Sequence, residues 1–384
     1  MPRKSRLTAL TSLRFFAAFY VVFFHSVRPW LGVSLSTGSR FLRNIALTGY
    51  VSVGFFFVLS GFILAYTYGS PNELTLVPRK FWRARFARIY PVFALSLIIG
   101  AAPAFFQLHR MYPSVQANAK FIVYGIANFL MVSFLVPNAD ATILNSPGWS
   151  LSDEAVFYLF FPWIAAKIWR VKGRNLSWVM VGACLVAVVI PFFALCWDPA
   201  LVDWKASFQT SLNDSRLAYF VNYHPFARLP DFILGAALGR FFLERSQPKN
   251  EDGNRFPKHG LKAAFGCFLI LLVLGQSDRI PYLFLHNGLL DFLFAYVIYQ
   301  FAMDTGRVSS ALSVPWLVFL GEASYSLYIL HVPIQEVYLA ILNRSHLGGV
   351  LSLGDFFLVY VCMILVVSSI VFKYFEEPMR QRLR

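Results

Sequence analysis

The chain has 384 residues, 58% of them hydrophobic and only 14% charged, with a formal net charge of +15. A soluble protein would carry about a quarter charged residues. The composition therefore excludes a soluble domain, and the long apolar blocks indicate a polytopic membrane protein. The basic excess does not point to nucleic acid, because Lys and Arg fall in short clusters between those blocks, as in the cytosolic loops of membrane proteins.

The N-terminal MPRKSRL and the apolar run after it read as a retained first span rather than a signal peptide. Arg14 interrupts the run, and no small-x-small cleavage site closes it. Apolar blocks lie at 9–30, 45–68, 89–108, 121–137, 151–169, 176–197, 228–243, 261–275, 283–303, 313–342 and 354–375. A spanning helix needs about 20 residues. If every block crossed, the basic stretches at 167–174 and 244–262 would face outward, against the positive-inside rule. If 121–137 instead dips into the outer face and returns, both termini are cytosolic and most of the 34 basic residues lie inside.

The expectation is an all-α polytopic membrane protein with about ten transmembrane helices plus a re-entrant or interfacial segment near 121–137. Residues 1–384 would form a single integral-membrane domain, since the polar stretches at 198–227 and 244–260 are too short for another. Cys184, Cys196, Cys267 and Cys362 sit in or beside apolar segments without metal-ligand spacing, so no metal site is expected.

Arg14 and His25, both inside the first apolar run, are eleven residues apart. At 100° per residue they fall within about 20° of the same helix face, roughly 16 Å apart along the axis. Each alone has an ordinary explanation: a snorkelling arginine, a histidine bonded to a neighbouring helix. Sharing a face, they also fit the lining of a polar tunnel, since ionisable residues within a span mark functional sites by default. A histidine titrating near neutrality can take a proton from a hydroxyl. An arginine at the cytosolic end suits a phosphate or a polarised carbonyl. The combination points to acyl transfer from a phosphate-bearing donor to an alcohol.

The Arg14-x10-His25 spacing resembles the signature of the membrane-bound acyltransferase 3 family. Further segments resemble its motifs in order: GYVSVGFFFVLSGFILAY (49–66), RKFWRARFARIYP (79–91), GWSLSDEAVFYLFFP (148–162), RLPDFILGAALG (228–239), GEASYSLYILHVPI (321–334) and YFEEPMR (374–380). The resemblance implies an enzyme of the bacterial inner membrane. Such an enzyme moves an acyl group, usually acetyl, from cytosolic acyl-CoA to a hydroxyl of a saccharide or lipid-linked saccharide. His25 would be the catalytic base and Arg14 a donor-side residue, with direct transfer and a covalent acyl-histidine both open.

Acyl-CoA as co-substrate, acetyl-CoA first among its forms, would bind Arg79, Arg83, Arg85 and Arg88, with Phe81 and Trp82 able to stack on adenine. The same loop would be basic simply for lying inside. Trp149, Ser150 and Glu154 would meet the acceptor, Glu154 orienting or activating its hydroxyl; Ser150 ahead of Asp153 and Glu154 is also a helix-capping pattern. Asp231 either binds substrate or pairs with Arg228. His331 either lines the same cavity and helps hold donor or acceptor, or bonds a neighbouring helix. Gly49, Ser52, Gly54 and the Ser60-Gly61 pair serve close helix packing, and Glu376-Glu377-Pro378 is structural.

Two other arrangements use the same charges. The acyl group could pass to a separate periplasmic transferase. A secondary transporter would also keep charges inside spans, although no inverted repeat is visible. A purely structural scaffold gives Arg14 and His25 no reason to share a face.

Overall fold

The computed structural model describes residues 7–27, 40–136, 142–202, 215–245, 260–276, 280–303, 306–344 and 353–383. The basic residues at 3–6 and most of the 244–260 stretch, which enter the inside-outside assignment, lie outside the described residues. Among those described the protein is helical nearly throughout, with one isolated bridge between Gly69 and Leu74 and no strand. The longer helices, in chain order, are α1 (Thr8–Val27), α2 (Ser52–Tyr68), α3 (Pro78–Met111), α4 (Ser114–Phe129), α5 (Gly148–Arg170), α6 (Leu176–Trp197), α7 (Pro225–Arg245), α8 (Gly260–Gln276), α9 (Asp291–Met303), α10 (Ser324–Arg344) and α11 (Leu353–Val371).

Among the described residues, 7 helical segments are long and apolar enough to cross a membrane: Thr8–Val27, Asn44–Tyr68, Pro78–Met111, Gly173–Trp197, Tyr282–Met303, Ser324–Arg344 and Gly354–Arg382. This measure does not reach the expected ten. Helices α5 and α7, with 23 and 21 residues, have the length but carry charged side chains, and α8 has only 17 residues.

The 121–137 segment is not one continuous helix. Helix α4 ends at Phe129, Met131 takes a left-handed φ of 58°, and a short 3-10 helix follows at Ser133–Leu135. Sixteen residues rise about 24 Å, short of a hydrocarbon core of about 30 Å.

The helices gather into two compact units, each drawn from separated stretches of chain. The first comprises 1–17, 50–81 and 156–322, and the second 18–49, 82–155 and 323–384.

In the first unit α7 packs along α2 with very close backbone approach. A Cβ added at Gly61 would strike the Phe232 carbonyl oxygen, and one at Gly235 the Val58 carbonyl oxygen. At Gly239 the added atom would lie 2.7 Å from the carbonyl oxygen of Phe62. Helices in lipid associate through such small-residue faces, because apolar side chains gain little by leaving lipid for protein.

Beside this seam lies a buried polar cluster. Arg228 pairs with Asp231 at 3.0 Å and donates to the His286 carbonyl and to Asn287 Oδ1. Asp291 is buried within electrostatic reach of Asp231, and Asn287 Nδ2 donates to Asn222 Oδ1 at 3.3 Å. Arg240, a second buried arginine of α7, is paired with Glu244 at 3.0 Å and donates to the Ile168 carbonyl. Both arginines are therefore neutralised where burial would otherwise be very costly.

In the second unit α10 packs against α11, with Tyr338 stacked on Phe356 at 5.4 Å between ring centroids. Near the start of α10, the Ser326 hydroxyl donates to the buried Glu376 carboxylate at 2.6 Å.

Replacing Gly235 by Ala is expected to lower the thermal midpoint of the detergent-solubilised protein by several degrees and to reduce the folded fraction. Gly182→Ala, whose Cβ would meet nothing within 4 Å, is expected to change neither. Thermal-shift and size-exclusion measurements on the two variants read the difference.

Candidate active site

Two histidines 306 residues apart meet in the second unit. His25 lies in the last turn of α1 and His331 is fully buried in α10. His331 Nε2 is 3.1 Å from His25 Nδ1, and the ring centroids are 4.9 Å apart. His25 Nδ1 is also 3.0 Å from the Val21 carbonyl oxygen, one turn back on its own helix. Gln335, one turn beyond His331, donates to the His25 carbonyl at 3.4 Å.

His331 is held at both ends. Its Nδ1 donates to the Tyr328 carbonyl at 2.6 Å, and the Tyr360 hydroxyl of α11 donates to its own carbonyl at 2.7 Å.

The backbone around it is shaped by Pro333, which lacks the N–H that would bond the carbonyl of Ile329 four residues earlier. A carbonyl orphaned inside an apolar bundle needs another donor. Asn145 supplies it: its Nδ2 donates to Ile329 at 2.9 Å and to Ser96 Oγ at 2.8 Å. A side chain far away in sequence thus satisfies the proline-broken turn next to the buried histidine.

The residues expected on the acceptor side lie on α5, in and just after its first turn. Ser150 Oγ donates to the Pro147 carbonyl at 2.9 Å and is 2.8 Å from the Tyr328 hydroxyl. The capping expectation for Ser150 is corrected here: the helix starts at Gly148, and the Ser150 side chain turns back to Pro147 and across to Tyr328. Trp149 is buried, with 9% of its surface exposed, and Glu154 is half-buried. Asp153 and Glu154 both stand within electrostatic reach of Tyr328.

The basic residues of 79–88 divide by environment. Arg79, Lys80 and Arg83 are exposed, Arg85 is buried and Arg88 is half-buried. Arg83 Nε donates to the Leu383 carbonyl at 2.9 Å. All of them lie on the unbroken helix α3 rather than in a loop, so Arg85 and Arg88, three apart, share a face.

Arg14 is half-buried on α1, and the unbroken helix from Thr8 to Val27 keeps it on the side that bears His25. Asp231 and Arg79 belong to the first unit, where Asp231 is occupied by Arg228.

His25, His331 and, through Tyr328, Ser150 are therefore brought into one constellation. Sequence reasoning missed Asn145, Tyr328, Gln335 and Tyr360. Pro333 was a usable signal for Asn145, because a proline within a helix announces an orphaned carbonyl. The three-residue spacing of Tyr328 and His331 was a weaker one. Among the described residues no group of three or more His, Cys, Asp or Glu could hold a metal ion.

Comparison with known proteins gives a family model described as an acyltransferase domain, of the acyltransferase 3 type, matching residues 7–373. The chain is 27% identical over 340 residues to the acyltransferase MdmB of Streptomyces mycarofaciens, a match that covers 86% of this chain and 79% of that protein. It is 26% identical over 344 residues to the putative peptidoglycan O-acetyltransferase YrhL of Bacillus subtilis, covering 85% of this chain and 48% of YrhL. The O-acetyltransferase OatA of Staphylococcus aureus is 21% identical over 390 residues, covering 98% of this chain and 57% of OatA. The chain thus spans roughly half the length of each of these last two relatives. No solved structure matches it.

Replacing Asn145 by Leu is expected to destabilise the protein by about 1–3 kcal/mol, the cost of leaving a buried carbonyl unpaired. Adding Pro333→Ala, which restores an N–H four residues after Ile329, is expected to recover part of that loss. A double-mutant cycle of thermal stabilities in detergent checks the coupling.

Proposed function

The chain belongs to the acyltransferase 3 family, and on that premise we propose that it is an O-acyltransferase that moves an acyl group, acetyl first, from acyl-CoA to a saccharide hydroxyl. The acceptor is a cell-surface or lipid-linked saccharide, a class supported by the name of YrhL, a putative peptidoglycan O-acetyltransferase. The enzyme lies in the bacterial inner membrane with both termini cytosolic, as the placement of its basic residues favours.

The observation that carries the proposal is the contact of His25 with His331 inside the bundle. His25 acts as general base. As it removes the acceptor's hydroxyl proton, the oxygen attacks the thioester carbonyl carbon. The C–O bond forms, the C–S bond breaks, and the proton on His25 passes to the departing sulfur.

The arginines of 79–88 hold the phosphates of CoA on the cytosolic side, where guanidinium groups suit doubly charged oxyanions; Arg79 and Arg83 are the exposed ones. Arg14 serves the donor along the same helix as the base. Trp149, Ser150 and Glu154 serve the acceptor, Glu154 as its orienting carboxylate.

The test compares host glycans by mass spectrometry in a deletion strain carrying the wild-type chain, His25→Ala or an empty vector. An acyl-sized mass is expected with wild type only, the variant losing at least about a hundredfold of the modification. Equal modification by wild type and His25→Ala would remove the base assignment. No glycan change in any strain would remove the saccharide acceptor.

A further inference from the structure

We infer that His331 is a positioning residue: it fixes the tautomer of His25 so that the atom receiving the acceptor's proton is His25 Nε2. The inference rests on His25 being the base, and it assigns to His331 a task other than contact with substrate.

It follows from hydrogen-bond bookkeeping along three atoms. The Tyr328 carbonyl can only accept, so His331 Nδ1, 2.6 Å away, carries a hydrogen. A neutral imidazole has one N–H, so His331 Nε2 is then an acceptor. That acceptor faces His25 Nδ1 at 3.1 Å, and the Val21 carbonyl oxygen, another acceptor, lies 3.0 Å from the same nitrogen. His25 Nδ1 must therefore carry the hydrogen, and the lone pair of the neutral ring belongs to Nε2.

The opposite tautomer would set the His25 Nδ1 lone pair against two other lone pairs in apolar surroundings, an arrangement with no compensation from water. The Val21 carbonyl already accepts the helix's own bond from the His25 amide. The His331 nitrogen adds the acceptor that reaches the His25 proton from outside its own helix.

In hydrolytic triads a buried carboxylate orients the base from its Nδ1 side. Here a second imidazole stands in that position. During transfer His25 Nε2 takes the hydroxyl proton and returns it to sulfur. Its Nδ1–H stays directed at His331, and His331 keeps its own Nδ1–H on Tyr328. Both Nδ1 protons stay on the pair throughout, and the fixed donors Asn145 and Tyr360 hold the α10 backbone that carries His331.

The experiment is nitrogen-15 NMR of full-length protein labelled on histidine in lipid nanodiscs, with the two rings assigned by His25→Gln and His331→Gln. It is paired with transfer of labelled acetyl from acetyl-CoA in membranes of the producing cell. His25 is expected to show a protonated Nδ1 and a bare Nε2. His331→Leu is expected to move His25 toward the Nε2-protonated form and to lower the transfer rate about ten- to hundredfold. The acetyl-CoA concentration giving half-maximal rate should stay within about twofold if His331 does not touch the donor. His331→Gln, whose amide oxygen can accept the same hydrogen, should restore most of the rate.

An Nε2-protonated His25 in the wild type would overturn the inference, as would a His331→Leu variant transferring at the wild-type rate. In that second case an inactive His25→Ala would leave the base assignment standing. An active His25→Ala would instead bring down the base assignment itself.

Discussion

A polar side chain inside an apolar bundle has no water to fall back on, so its partners decide both its shape and its chemistry. His25 and His331 answer this constraint with each other. Each gives the other a hydrogen-bond partner, and α1 and α10 are tied at the point where they do so. Most of the second unit serves that contact. Tyr328 fixes one nitrogen of His331, Tyr360 and Asn145 support the α10 backbone, and Gln335 reaches back to the turn that carries His25.

The first unit meets the same constraint by other means. Its helices approach through glycines, and its buried arginines are matched to carboxylates and carbonyls within one turn or across one seam. Arg228 with Asp231 and Arg240 with Glu244 carry charge into protein without leaving it uncompensated. Asp231 has the burial and partners of a structural ion pair, which leaves the half-buried Glu154 as the carboxylate proposed to serve the acceptor.

Much of this was legible in the sequence because it depends on local pattern. Long apolar runs announce helices, the eleven-residue spacing places Arg14 and His25 on one face, and the Ser60-Gly61 pair marks a close helix contact. The apolar runs of α5 and α7 read as spans in the sequence, while the charges these helices carry keep them out of the seven segments that are long and apolar enough among the described residues. The site itself was legible one residue at a time and not as a set. No rule of spacing joins His25 to His331, or Asn145 to Ile329, because those contacts arise only when distant helices pack. Pro333 showed that a donor was needed without showing which residue would supply it. The misreading of Ser150 has the same origin: a capping pattern is local, and the Tyr328 hydroxyl that engages the side chain is not.

The central claim is that chemistry occurs at the paired histidines of α1 and α10. The most direct measurement is an electron cryomicroscopy structure of the protein in nanodiscs with an acetyl-CoA analogue whose thioester sulfur is replaced by a methylene group. The account predicts the analogue's carbonyl carbon beside His25, leaving room for one acceptor oxygen between it and His25 Nε2, with the CoA phosphates on the arginines of α3. A carbonyl bound away from both histidines, with those arginines unengaged, would contradict it.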